Sequence, residues 1–185
     1  MNPSATHATI TIDLILDRHN IRDVLRALLH AILFHRLLGT VKPRTFEVLD
    51  VTMPGVTDPA MERLVDEKVD AFWKGMENGA NKRGRITLTL SDKRQRKTWP
   101  FGLTVEDEVP WEQWVINVEI CQLRSEQERQ TFNQTLSAAL AKSLHTMVTH
   151  TASEHGRMAI PAITNQDISP FPLSIIVKIG DVEVG

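Results

Sequence analysis

Trp114-Val115-Ile116-Asn117-Val118-Glu119-Ile120-Cys121 sets Trp114, Ile116, Val118 and Ile120 against Val115, Asn117, Glu119 and Cys121, a period of two that makes a strand with one apolar face. Shortly after it, Ser125-Glu126-Gln127-Glu128 supplies the serine and the glutamate of a capping box, the start of a helix. Phe132, Leu136, Leu140, Leu144, Met147 and Val148 carry that helix forward on a single apolar stripe. Beyond it, Thr151 to Ser169 reads as loop and Leu173 to Ile179 as a last, largely buried strand.

Upstream of Trp114, Ile86, Leu88 and Leu90 alternate with threonines, a strand that emerges into the basic run Lys93-Arg94-Gln95-Arg96-Lys97. Before it, Asp58 and Pro59 supply a cap and a first helical residue. Leu64, Val65, Val69, Phe72, Trp73 and Met76 then recur at helical spacing until Asn78-Gly79 breaks the run. Phe46, Val48 and Val51 predict a second, weaker strand ahead of a turn at Pro54-Gly55. At the start, Ile10, Ile12, Leu14 and Leu16 alternate with polar residues in a strand ending near Asp17. Asn20 as cap, Asp23 in the first turn and Gly39 as a left-handed stop bound a long helix. Its residues Ile21, Val24, Leu25, Leu28, Leu29, Ile32, Leu33, Leu37 and Leu38 cover more than one stripe, which predicts a central core helix. The order strand, helix, strand, helix, two strands, helix, strand is too irregular for a doubly wound parallel sheet and implies an α+β domain with helices against one sheet.

The 185 residues with 42% hydrophobic content suit one compact domain. Its 21 Lys and Arg balance 23 Asp and Glu to a net charge of -2, so no global field draws the chain to nucleic acid or an anionic surface. Cys121 is the only cysteine, which excludes an intrachain disulfide, a thiolate zinc cluster and a redox dithiol. Met1 to Thr9 lacks the pattern of a secretory leader and no run of about 18 apolar residues occurs, so a soluble, cytosolic chain is expected.

No catalytic constellation emerges from the polar residues. His30 and His35, and likewise His145, His150 and His155, are spaced by five, which turns helical neighbours by roughly 140° and off a shared ligand face. Cys121 lies within a strand with nothing local to activate its thiol. Gly79-Ala80-Asn81-Lys82-Arg83-Gly84 has the glycine spacing of a phosphate loop, yet Arg85-Ile86 stand where Lys and Ser or Thr are required, and a turn fits better. Asp92, Glu106, Asp107 and Glu108 read as a solvated acidic loop. The basic run with Trp99 and Phe101 has the ingredients of a single-strand binder, while the same residues could also form an exposed hairpin, and one short run on a slightly acidic chain places the nucleic-acid reading well behind.

Thr98-Trp99-Pro100-Phe101 is the most unusual segment. Pro100 cannot donate to a ladder and biases Trp99 toward extended backbone. The two aromatics either project from a loop as anchors or fold back onto the sheet as a plug.

Trp99-Pro100-Phe101, an acidic spacer and Pro110-Trp111-Glu112-Gln113-Trp114 together resemble the signature of the autophagy-related protein 101 family. Leu29-His30 through His35-Arg36 and Gly39 is similar to that family's first helix, and Ser125-Glu126-Gln127-Glu128-Arg129-Gln130 to the start of its last long helix. The resemblance runs from the first strand through Ile179. It implies a single HORMA domain over residues 1–185, a central mostly antiparallel sheet with three principal helices packed on one side. It further implies a non-catalytic subunit of the autophagy-initiating kinase complex, needing no cofactor or metal. The expected partner is autophagy-related protein 13, in a HORMA-to-HORMA heterodimer, with other subunits of the complex and downstream factors beyond it.

Residues 92–110 are then expected to be a protruding loop, with Trp99, Pro100 and Phe101 as a partner-binding finger working at the phagophore assembly site. Two features depart from the family pattern: the spacer Gly102 to Val109 is long, and little follows the last strand before Gly185. A HORMA module that clasps a peptide under a mobile C-terminal segment is the alternative, and the short end after Ile179 argues against it.

Overall fold

The computed structural model describes residues 7–78, 82–100 and 102–185. Alternation in β1 (Ala8–Leu16) buries Ile12, Leu14 and Leu16 and turns Thr11, Asp13 and Ile15 to solvent. The same period runs through β4 (Arg83–Thr98), β5 (Leu103–Ile120) and β6 (Leu173–Ile179), where Ile86, Leu88, Leu90, Trp114, Ile116, Val118, Ile175 and Val177 share one apolar face. With β7 (Val182–Val184) these strands form a five-stranded sheet in the order β1-β5-β4-β6-β7. The β1–β5 pair is parallel and the other three are antiparallel. The molecule is thus α+β with a mixed central sheet, one face built into the core and the opposite face largely polar.

Helix α1 (Ile21–Arg36) buries eleven of its sixteen residues, because the hairpin of β2 (Lys42–Val48) and β3 (Val51–Thr57), α2 (Pro59–Asn78) and α3 (Glu126–Ala152) enclose it over the apolar sheet face. Asn20 does not cap it by side chain; Asn20 Oδ1 accepts from the Asp17 amide at 3.2 Å while Asp17 Oδ1 accepts from the Asn20 amide at 3.2 Å, closing a turn. Nor is Gly39 a left-handed stop. The helix ends when the Leu37 amide bonds the Leu33 carbonyl at 2.7 Å, and Gly39 is required because a Cβ there would collide with the Asp167 carbonyl. Helix α2 (Pro59–Asn78) is capped as expected, with the Met61 amide donating to Asp58 Oδ2 at 3.0 Å. Helix α3 (Glu126–Ala152) opens on its capping box, Ser125 Oγ accepting from the Glu128 amide at 3.1 Å and Glu128 Oε2 from the Arg124 amide at 2.8 Å.

Three expectations are corrected by tertiary structure. Pro54 and Gly55 are not a turn; they lie inside β3 (Val51–Thr57), paired with β2 (Lys42–Val48), and the reversal falls at Leu49 and Asp50, where Leu49 adopts φ 55°. A two-stranded sheet has only edges, which tolerate a proline, and Phe46 packs its ring over Gly55 where a Cβ would stand. Within Thr151 to Ser169, α3 runs on to Ala152 and a short α4 (Glu154–Met158) follows, started by Ser153 Oγ accepting from the Gly156 amide at 2.9 Å. Finally, Gly180, at φ 59°, turns β6 back into β7, a pairing too short to carry a periodic signal.

Candidate interaction site

Strands β4 and β5 are far longer than their neighbours. Partner β6 leaves β4 at the Leu90–Leu173 pair, and β1 leaves β5 at the Ala8–Glu112 pair. Past those points the Ser91 amide makes one last bond to the Pro172 carbonyl at 3.0 Å, and among the described residues Asp92–Thr98 and Leu103–Val109 then pair with each other, in register out to Thr98–Leu103. Residues 92–98 and 103–110 are therefore a two-stranded ribbon, the exposed hairpin that the basic run allowed, reaching about 25 Å beyond the flanking strands at about 3.3 Å per residue. Period-two alternation continues along it, setting Leu103, Val105 and Val109 against Thr104, Glu106 and Glu108, but no layer packs on either face to bury it. Pro110, which has no amide to donate, sits just past the Ala8–Glu112 pair, where no described residue continues the ladder on that side.

A bulge between Leu90 and Ser91 sets the base of the ribbon. Leu90 pairs with Glu112 and Ser91 with Pro110, so Trp111 is the extra residue and two successive side chains, Trp111 and Glu112, both turn inward. Trp111 meets Phe171 edge-on at 5.4 Å, with the Arg36 guanidinium 5.6 Å from its ring centre. The Glu112 carboxylate, fully buried, accepts from Arg36 Nε at 2.7 Å, Arg36 Nη2 at 2.6 Å, Trp114 Nε1 at 2.6 Å and His150 Nε2 at 2.8 Å. Arg36 also donates to the Gly156 carbonyl at 3.1 Å. One carboxylate thus ties the ends of α1 and α3, the α4 turn and the root of the ribbon together, with the bidentate fork that only arginine provides. The sequence reading missed this knot, since its members lie 76 and 38 positions apart along the chain.

At the far end, the Gly102 amide bonds the Thr98 carbonyl at 2.9 Å and Thr98 Oγ1 donates to the Leu103 carbonyl at 3.0 Å, closing the turn. Gly102, at φ 63° with open space around it, supplies the left-handed residue. Trp99 is 94% exposed, and Leu103 and Val105 are 65% and 41% exposed. Trp99 does not fold back as a plug, and Pro100 shares its turn; Phe101 lies outside the described residues. Sequence reasoning did not single out Leu103 and Val105, whose signal is their alternation on β5 across from Thr98 and Arg96.

The basic run and the acidic spacer prove to face each other. Lys93 pairs with Glu108, Arg94 with Asp107 and Gln95 with Glu106, while Arg96 Nε lies 3.3 Å from Asp107 and Arg94 Nε 3.2 Å from Asp92. Such exposed pairs contribute little each, but they account for both runs without a nucleic acid or a cation.

The remaining polar residues serve the fold. His30 stacks on Phe46 at 4.7 Å, and its pKa is lowered by burial and then by the nearby Arg44 charge. His35 bonds the Ala31 carbonyl at 2.7 Å and His150 joins the knot. Burial, then the Asp17 charge, push the Cys121 thiol up. Gly79 to Asn81 lie outside the described residues; Gly84 is inside β4, where a Cβ would meet the Phe72 ring, so its role is close helix–sheet approach. Among the described residues no group of three or more His, Cys, Asp or Glu is placed to hold a metal ion, and no helix is long and apolar enough to cross a membrane.

A mixed-sheet α+β domain with a rooted, aromatic-tipped ribbon has the makings of an interaction module. The family model for autophagy-related protein 101 matches residues 13–167. The Arabidopsis thaliana protein of that name is 32% identical over 112 residues, covering 60% of this chain and 51% of the relative. The Schizosaccharomyces pombe protein is 34% identical over 112 residues, covering 60% and 59%, and the Homo sapiens protein 24% identical over 149 residues, covering 72% and 66%. The chain belongs to the autophagy-related protein 101 family. It spans about half to two thirds the length of these relatives.

Proposed function

We propose that this chain is a non-catalytic adaptor of autophagy initiation with a HORMA-type fold. It pairs with the HORMA domain of autophagy-related protein 13, stabilises it within the initiating kinase complex, and brings downstream factors to the phagophore assembly site through Trp99, Pro100 and Phe101. Family membership supports the autophagy role. The observation that carries the finger reading is the 94% exposure of Trp99 at the end of a ribbon rooted in a buried ion pair. An aromatic held at the end of a paired ribbon brings large apolar area at little rotamer-entropy cost, which suits a contact made once a complex assembles.

Pairing is supported by α3. Only Leu136, Leu140, Ser143 and Met147 of its 27 residues are buried, and Val148 is 52% exposed, so most of a long helix is free to meet a partner. Light scattering on a sizing column, with the chain alone and mixed with the N-terminal domain of autophagy-related protein 13, tests this. A one-to-one complex is expected. Two unshifted peaks at micromolar concentration overturn the pairing.

A further inference from the structure

We infer that the end of the ribbon is a peripheral membrane anchor that inserts Trp99 and Leu103 into the headgroup layer of an anionic bilayer, with Arg96 and Lys97 held at the level of the lipid phosphates. This deepens the proposed function and rests on its reading of the ribbon end as a contact element.

The first reason is the distribution of apolar surface. Ten large hydrophobic residues are exposed among the described residues, and three of them, Trp99, Leu103 and Val105, fall within one turn and the start of one strand. The second is shape. Trp99 stands at the convex tip of a ribbon only two strands wide, with open space beside Gly102. A convex, amphipathic tip fits a soft interface, which is where indole rings settle in bilayers.

The third reason is the ordering of charge along the ribbon. From Gln95 to Val105 the sequence carries Arg96 and Lys97 and no acidic residue. The acids begin at Glu106, set back toward the body, where Glu108 faces Lys93 and Asp107 faces Arg94 and lies 3.3 Å from Arg96 Nε, an exposed pair weak enough for a lipid phosphate to replace. Tip first, the order is apolar, then cationic, then charge-paired. Arg96 and Val105 share one face of the ribbon with Thr98 and Leu103, and Lys97 lies on the other, so a cation flanks the apolar end on each side. Long basic side chains reach the phosphates while their stems lie on lipid. A free-standing ribbon also lets the tip touch a surface without dragging the sheet or α3 against it, so the anchor and the pairing surface proposed above can act together.

The test uses the full chain, alone, with phosphatidylcholine vesicles with or without phosphatidylserine. Flotation and tryptophan emission are read together. Of the four tryptophans, Trp111 and Trp114 are buried, Trp73 is half-buried and Trp99 is exposed, so a blue shift on binding reports Trp99. The expected result is flotation and a blue shift with phosphatidylserine only, weakened by salt. Trp99→Ala should abolish the shift and lower binding by at least about tenfold. Arg96→Gln and Lys97→Gln should each lower binding by about fivefold with the fold intact. No flotation with anionic vesicles, or flotation indifferent to Trp99→Ala and Lys97→Gln, overturns the inference. Capture of a downstream protein by Trp99 without vesicle binding would also overturn it while leaving the proposed function standing. Vesicle binding without pairing to autophagy-related protein 13 would uphold the anchor and remove the adaptor reading.

Discussion

Replacing Arg36 by methionine isolates the contribution of the buried knot. Arg36 is 2% exposed and Glu112 fully buried, and the substitution removes contacts of 2.7, 2.6 and 3.1 Å to Glu112 and the Gly156 carbonyl. Methionine replaces the aliphatic stem and keeps contact with Trp111, so lost packing is a minor part of the effect. What dominates is the Glu112 carboxylate, left in the interior with only the Trp114 and His150 donors. Breaking a buried pair from one side costs about 3–5 kcal/mol. With an unfolding entropy of about 2.1 cal/mol/K per residue, a chain of 185 residues loses roughly 8–13 °C in Tm.

Calorimetry at neutral pH, with urea unfolding followed by circular dichroism, measures this directly. The double variant Arg36→Met with Glu112→Leu buries no charge and should recover most of the loss. A Tm change below about 2 °C for the single variant, or a double variant less stable than the sum of the two singles predicts, would refute the reasoning.

Trp99→Ala combined with Phe101→Ala should leave Tm within about 1–2 °C of the parent while abolishing recruitment of downstream factors in cells; a marked loss of stability would point to the plug arrangement instead. His30 adds a pH dependence. Its native pKa lies below the ordinary 6.5, so the unfolded chain binds the proton first as pH falls, and the stability contributed by the neutral ring is full above about 6.5 and declines below it. Its Nδ1 is buried without a hydrogen-bond partner, which makes protonation costly in place. Urea midpoints between pH 7.5 and 5.5 should fall more steeply for the parent than for His30→Leu, and parallel slopes would assign the dependence elsewhere.

Local signals carried most of the elements. The alternation of Ile10 to Leu16 and of Trp114 to Ile120, the Asp58-Pro59 start and the Ser125 capping box are properties of adjacent residues. Each appears in the structure where the sequence put it. The same holds for Trp99, whose position beside Pro100 after a charged stretch is unusual in the sequence itself. The resemblance carried in the aromatic motif and its following strand placed the chain in its family.

Tertiary structure decided everything that depends on which segments meet. Nothing in Ile10 to Leu16 says that β1 pairs in parallel with β5, about a hundred residues later. Residues 92–98 and 103–110 form a ribbon because β4 and β5 keep their register after β6 and β1 have stopped, a fact about neighbours and not about the residues themselves. Gly39 and Gly55 looked like turn residues, yet each is required by a group packed against it from elsewhere, the Asp167 carbonyl and the Phe46 ring. Glu112 is the clearest case. As sequence it is one more acid beside a tryptophan, and it becomes the root of the ribbon only when Arg36 and His150, from two different helices, arrive at the same buried point. Period and capping are written within a few residues of one another, whereas register, close approach and buried ion pairs arise between segments that are neighbours only after folding.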